Sequence, residues 1–197
     1  MDKPEDVMFS PAVKAEQARL GSRATFEDRD WQTEITDDLR QFLAAIDTFF
    51  FATASADGRP YIQHRGGPAG FLKPIGTHML AFADFAGNRQ YITLGHLKEN
   101  DRAHIFILHF ATQQRLKLWG RARVVEDDAE LMERLVDSAY RAKPQRAIVF
   151  TIEAWDINCR QHIVARYSEA EIAPAVNQLT QRIKELEDEV ARLKATP

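Results

Sequence analysis

Between Phe49 and Trp155 the chain falls into short apolar runs separated by turn residues, and this pattern directs it to a mainly β fold. Phe49 to Ser55 is a run of aromatic and small residues that ends in Ala56-Asp57-Gly58-Arg59-Pro60. Glycine supplies the positive φ such a turn needs, so Tyr61 to Arg65 reads as the return strand of a β-hairpin. Met79 to Phe85, His104 to Phe110, Arg115 to Val125 and Ala147 to Trp155 read as further strands, with one helical stretch around Asp127 to Arg141. Five or six mainly antiparallel strands at this spacing predict a small barrel, closed or nearly closed on itself.

Helical signals flank this region. Ser10 followed by Pro11 is a capping hydroxyl and then a proline at the first helical position, and helix formers continue from Ala12 to Leu20 until Gly21. A second helix starts near Thr36, where Asp37 and Asp38 suit the positive end of the helix dipole and Leu39, Phe42, Leu43 and Ile46 make an apolar stripe. At the other end, Ile172, Val176, Leu179, Ile183, Leu186, Val190 and Leu193 recur at alternating steps of four and three with polar residues between them. Such a helix needs a partner, either its own barrel or a coiled coil between subunits, and Pro174 is read as lying in its first turn. The expected organisation is therefore a helical extension over 1–35, a barrel domain over 36–168 and a heptad-patterned helix over 169–197.

Composition narrows the function classes. Of 197 residues 45% are hydrophobic, enough for a full core, and 26 Lys and Arg against 29 Asp and Glu give a net charge of −3. A nucleic-acid partner bound through bulk positive charge is not expected. Cys159 is the single cysteine, so neither an intrachain disulfide nor a multi-cysteine metal site can form within one chain, which fits a reducing cytoplasm. No apolar run approaches the roughly 20 residues that span a bilayer, and Met1 to Asp6 does not read as a secretory leader, so neither a membrane nor export is expected.

Three clusters carry candidate chemistry. Gln63-His64-Arg65-Gly66-Gly67-Pro68-Ala69-Gly70-Phe71 sets a cation at a strand end before a glycine loop, whose N–H groups could meet an anion or a planar ring; such glycines also serve ordinary turns. Asp84-Phe85-Ala86-Gly87-Asn88-Arg89-Gln90 leads from an apolar strand towards the helical spacing of Tyr91, Ile92, Leu94 and Leu97. It offers backbone donors, an amide and a guanidinium to one phosphate, or else is a solvated turn. Arg115, Lys117, Arg121 and Arg123 alternate with apolar residues, so all four basic side chains share one strand face. Solvent, a polyanionic ligand or an acidic surface would relieve their repulsion.

Together these blocks resemble the FMN-binding split barrels of the pyridoxamine 5′-phosphate oxidase superfamily. The resemblance runs through His64 to Phe71, Leu80 to Ile92, Glu99 to Ala103 and Leu116 to Ala122 in matching order and spacing, and covers Thr36 to Ile163. Ala154 to Ile163 is similar to a C-terminal motif of one branch, with Arg160 where a proline is more common. It implies a mainly β fold with flanking helices, a cytoplasmic homodimer of split β-barrels and two FMN molecules in the clefts between subunits. Asn88 and Arg89 would hold the flavin phosphate, and Asp84 of the same block counts among the cofactor-binding residues. Arg65 and Gly66 would run beside the ribityl chain, with Gln63 and Gly67 close by. Lys117 and Arg115 would reach the cofactor from the partner or close its site, and Trp155, Gln161 and His162 would approach the ring.

The expected activity is that of an FMN-dependent oxidoreductase acting on a small substrate, with the catalytic groups unassigned because the flavin carries the chemistry. Two alternatives stand beside it. One is a pyridoxamine or pyridoxine 5′-phosphate oxidase proper, although those enzymes usually have lysine where Gln90 follows the phosphate-site arginine, and apolar residues with a lysine in place of Gly66-Gly67-Pro68. The other is a non-catalytic flavin- or heme-binding sensor or carrier. No metal site is expected, since no histidine pair has helical ligand spacing, and Cys159 reads as a small packing residue. No nucleophile-elbow sequence supports a hydrolase.

Overall fold

The computed structural model describes residues 3–27, 29–158 (Asn158 by its backbone alone) and 161–195. Seven strands, β1 (Thr48–Ala54), β2 (Pro60–Gly66), β3 (Lys73–Pro74), β4 (Met79–Phe85), β5 (Arg102–His109), β6 (Gln114–Val125) and β7 (Pro144–Asn158), make one antiparallel sheet in the order β2-β1-β5-β6-β7-β4-β3. Among the described residues seven helices accompany them: α1 (Pro4–Met8), α2 (Pro11–Arg19), α3 (Arg23–Glu27), α4 (Asp37–Ala44), α5 (Ile92–Glu99), α6 (Ala129–Leu135) and α7 (Glu169–Ala195).

Period-two alternation sets the inward face. Phe49, Phe51 and Thr53 of β1 are buried while Phe50 is exposed, and β6 buries Leu116, Leu118 and Ala122 while Arg115, Lys117, Trp119, Arg121 and Arg123 turn the other way. The four basic residues of β6 therefore do share a face. The sheet curls on itself: Phe49 and Phe51 meet the ring of Phe82 on β4 edge-on, with centroids 5.1 and 5.7 Å apart, although β5, β6 and β7 lie between β1 and β4 in the sheet. Leu39 and Leu43 of α4, with Ile46, complete this core, and Leu131 and Leu135 of α6 cover Ala81, Ala83, Ala147 and Val149 on the outside of β4 and β7.

Most elements follow the local signals. Ser10 Oγ accepts from Val13 N at 3.3 Å and Thr36 Oγ1 from Leu39 N at 3.2 Å, the two expected N-caps. The helix expected around Asp127 to Arg141 is shorter, ending at Leu135, because Asp137 Oδ1 takes the N–H of Ala139 at 2.8 Å and gives the backbone a turn to prefer. Pro174 is the sixth residue of α7, beyond its first turn, and the helix runs through it. That helix starts with a reciprocal cap: Ser168 Oγ accepts from Glu171 N at 3.3 Å and Glu171 Oε2 accepts from Ser168 N at 2.7 Å.

The described residues divide into two compact units, 3–109 with 114–158, and 110–113 with 161–195. The N-terminal residues belong to the first. There α1 packs on β6 and β7, Gln32 bridges Trp155, Trp155 N donates to Gln32 O at 2.9 Å, and Arg29 pairs with Asp156 at 2.6 Å. In the second unit Gln113 Nε2 donates to Ile163 O at 2.6 Å and the Arg166 guanidinium lies 5.0 Å from the Phe110 ring. None of the described helices is long and apolar enough to cross a membrane.

Candidate functional site

The site begins where the two halves of the curled sheet approach each other. Arg65 points from β2 towards β4 and pairs through Nη1 with Asp84, while its Nη2 donates to Thr93 Oγ1 at 3.3 Å. Thr93, buried in the first turn of α5, in turn donates a hydrogen bond to Gln63 Oε1 at 3.3 Å. Arg146 stands opposite Asp84 in the β4–β7 ladder and brings Nε to 3.7 Å from the second carboxylate oxygen. Side-chain exposure is 13% for Arg65, 11% for Asp84 and 14% for Arg146, so this trio is largely withdrawn from water, and Arg146 also donates to the exposed Glu126 carboxylate at 3.0 Å. The Nε atoms of both arginines are buried without a hydrogen-bond partner.

Above the trio β4 runs into a corner with unusual backbone. Arg89 has φ 61° and Tyr91 φ 55°, left-handed values that an ordinary strand-to-helix link does not need. Asn88 stabilises the bend, accepting from Gln90 N at 3.1 Å and donating to Gln90 Oε1 at 3.3 Å. Tyr91 is the N-cap of α5 and its side chain makes no capping hydrogen bond, so the helix presents its first N–H groups without a side-chain acceptor. The Arg89 side chain is exposed. This corner, Arg65 and Asp84 enclose about 50 Å³, the space of one or two waters, which suits the end of an anionic chain and not a ring system.

The strand-borne residues are arranged differently. Arg115 and Lys117 lie opposite Leu108 and Phe106 on β5, and neither lines the pocket. Burial holds the Lys117 ammonium below its usual range, Arg115 adds repulsion, and Asp156 opposes both. Nearby, burial and then Lys117 push His104 down to about 4. Its imidazole stands edge-on to Trp119 with centroids 4.8 Å apart.

The glycine loop does not do what its composition suggests. Gly67 N already donates to Asp47 O at 3.0 Å and Gly70 N to Ile46 O at 2.9 Å, so these donors fix the loop to the link between α4 and β1 and do not serve a ligand. A Cβ on Gly67 would come within 2.6 Å of the Phe71 ring; the residue is small because the phenylalanine folds over it. Gly66 ends β2 opposite Thr48. Trp155 is likewise a core residue, with its indole N–H donated to Glu34 O at 2.8 Å. Gln161 and His162 belong to the second unit, and Cys159 and Arg160 fall outside the described residues.

Arg65, Gln63, Asp84, Asn88 and Arg89 thus converge, while Thr93, Tyr91 and Arg146 are additions that sequence reasoning missed. Thr93 lies inside an apolar helical spacing, and Arg146 falls just before the strand expected from Ala147 and belongs to no motif. Only the pairing of β4 with β7 brings Arg146 to Asp84. A larger groove of about 830 Å³ opens between α5 and the end of β6, shares Tyr91 and Leu94 with the corner and is also lined by Arg146. Among the described residues no three metal-ligating side chains gather.

Residues 35–159 match the family profile described as pyridoxamine 5′-phosphate oxidase. The chain belongs to that family. In the pyridoxamine 5′-phosphate oxidase family the sheet described above is a split barrel, and the chain is similar to several solved structures. A point variant of HupZ from Group A Streptococcus is 14% identical with a TM-score of 0.51, covering 63% of this chain and 99% of that one. A pyridoxamine 5′-phosphate oxidase-related, FMN-binding protein from Nostoc punctiforme is 13% identical over 60% of this chain and 77% of its own, with a TM-score of 0.41. The FAD-binding protein from Mycobacterium smegmatis is 15% identical over 64% and 97%, with a TM-score of 0.43. No curated protein matches the chain.

Proposed function

We propose that the protein is a cytoplasmic, FMN-dependent oxidoreductase acting on a small substrate, with the flavin phosphate at the Gly87-to-Tyr91 corner and the ring between two protomers. The observation that carries the reading is the buried Arg65–Asp84–Arg146 trio under an uncapped helix start, with unsatisfied Nε atoms on both arginines. A phosphate dianion is the ligand such a corner suits: helix N–H groups and the exposed Arg89 guanidinium favour it, and the withdrawn Arg65 and Arg146 guanidiniums lie beneath it, Arg146 shared between Asp84 and Glu126. Asp84 orients Arg65 and keeps it from collapsing into the corner; Thr93 fixes the other edge of the guanidinium and ties it to Gln63.

FMN, when bound, would supply the electron transfer. The chain's part is to bind and to set charge. Arg89 and the α5 start hold the phosphate end. A pocket of about 50 Å³ takes the end of the chain only, so the ring would lie outside it, in a site completed by a second copy. The outer sheet face supports this too, since Phe50 and Ile62 are exposed there at 36% and 60% beside half-buried Phe106 and Trp119. On the same face Lys117, short of its usual proton affinity, is the cation placed to stabilise negative charge on a partner-held ring.

The test is equilibrium dialysis of the purified protein against FMN with an absorption spectrum of the retained material. Saturable uptake with a flavin-shaped spectrum is expected. Protein that takes up none refutes the reading. Bound flavin without turnover against a panel of reductants and acceptors would leave a carrier in place of an enzyme.

A further inference from the structure

The 27-residue helix α7 buries none of its residues. Its seven seam residues, Ile172, Val176, Leu179, Ile183, Leu186, Val190 and Leu193, are 43% to 69% exposed. An apolar stripe of this length on a solvated helix calls for an occupant, and the residue types along it say which. Steps of four and three place Val176, Ile183 and Val190 at one seam position and Ile172, Leu179, Leu186 and Leu193 at the other. β-Branched residues at the first position with leucine at the second favour two parallel strands over three or four. We propose that α7 pairs with α7 of a second copy of this chain as a parallel, in-register two-stranded coiled coil.

Charge on the seam's flanks fits that arrangement specifically. In a parallel pair, the residue just before each first seam position faces the partner's residue five places further on. Arg182 then faces the partner's Glu187, and Glu189 faces the partner's Lys194, each pair occurring twice by symmetry. The remaining flank sets Ala175 against Thr180, so no like charges meet. An antiparallel pair would let Arg182 meet Glu189 but would leave Glu187 against Thr180 and Lys194 against Ala173. It would also set the β-branched seam residues against leucines. Within its own helix Arg182 reaches Glu185 at 3.2 Å, an exposed pair that yields readily to a new partner. Pro174 lies on the outer side of the helix, clear of the seam, and the Ser168–Glu171 cap fixes where the helix begins.

This pairing stands apart from the flavin reading and is tested without cofactor. Full-length protein with Cys159→Ser receives a single new cysteine and is oxidised, then run on a non-reducing gel. Val190→Cys lies on the two-fold axis of a parallel pair and should give at least about tenfold more covalent dimer than Asp188→Cys on the outer side, because a disulfide requires Cβ atoms about 4 Å apart. No dimer from Val190→Cys, or equal yields from both, overturns the proposal. In the Val190→Cys protein, Arg182→Glu should lower the yield several-fold by setting two glutamates face to face, and adding Glu187→Arg should restore it. An unchanged yield in Arg182→Glu overturns the register.

Discussion

Arg89 and Arg65 carry the same charge into the same corner, yet losing them has different costs. Arg89 is exposed, so Arg89→Ala should leave the melting temperature unchanged and weaken FMN retention more than tenfold, a charge-assisted hydrogen bond being worth about 1.5–3 kcal/mol. Arg65→Ala instead leaves the Asp84 carboxylate withdrawn from water with only Arg146 at 3.7 Å. Breaking such a pair costs about 3–5 kcal/mol, so denaturant titration should show a large loss of stability before any flavin is added. Equal stability of the two variants would mean that the trio is not the structural base of the site. His104 makes a different residue-scale prediction. Its ordinary pKa of 6.5 is pushed down to about 4, so between those values the unfolded chain binds more protons than the folded one. Its contribution is full above pH 6.5 and falls away as pH drops towards 4, by roughly 3 kcal/mol at most. The stability advantage of wild type over His104→Gln should therefore shrink across that window, and a gap that does not vary with pH would contradict it.

At the scale of elements, what was legible is what repeats locally. Four of the six expected strands, β1, β2, β5 and β6, show period-two burial, and α7 shows its heptads; β4 is legible instead as an apolar run buried on both faces, and β7 begins three residues earlier than expected, at Pro144. β3 has only two residues, too few to show any period, and exists because Leu80 and Ala81 of β4 offer it an edge. α1 and α3 are five-residue helices held by tertiary packing, with Phe9, Phe26 and Trp31 clustered at centroid distances of 5.5 to 6.3 Å, and no local signal marks such a cluster. Half of the candidate site was legible for the same reason: Arg65 and the Asn88–Arg89 turn lie within contiguous blocks. Thr93 and Arg146 act only across elements, and the glycine loop misled because composition does not show which N–H groups are already taken. Gly120 is the sharpest case of an element fixed by contact. The β6–β7 register shifts between Trp119 and Gly120, and a Cβ there would meet Thr151 O at 2.0 Å and Phe150 Cζ at 2.9 Å. Gly120→Ala should lower stability by about 1–3 kcal/mol in denaturant, with a slower-growing cost at Gly58→Ala, where nothing lies within 4 Å and only the turn's φ of 83° objects. Comparable midpoints for Gly120→Ala and wild type would show that the bulge relaxes freely.

At the scale of the whole molecule, the reading requires two associations that do different work. The α7 seam would hold two copies together, while the open sheet face would complete the flavin site, and a single substitution can separate these roles. Phe50 lies on that face, 36% exposed, with its ring centroid 6.1 Å from that of His64. A glutamate there has water to solvate it in a lone protomer, but if a second barrel covers the position the carboxylate is buried without a partner, a penalty of about 1–3 kcal/mol or more. Phe50→Glu should therefore keep its monomer-level stability and its covalent dimer in the Val190→Cys assay, since the seam is untouched, and yet bind FMN about tenfold more weakly. Measuring mass by light scattering alongside the FMN titration distinguishes the possibilities. A variant that stays dimeric through the coil and loses flavin affinity places the cofactor where the two sheet faces meet; one that binds FMN as tightly as wild type puts the whole flavin within a single protomer and removes the reason for the barrels to pair.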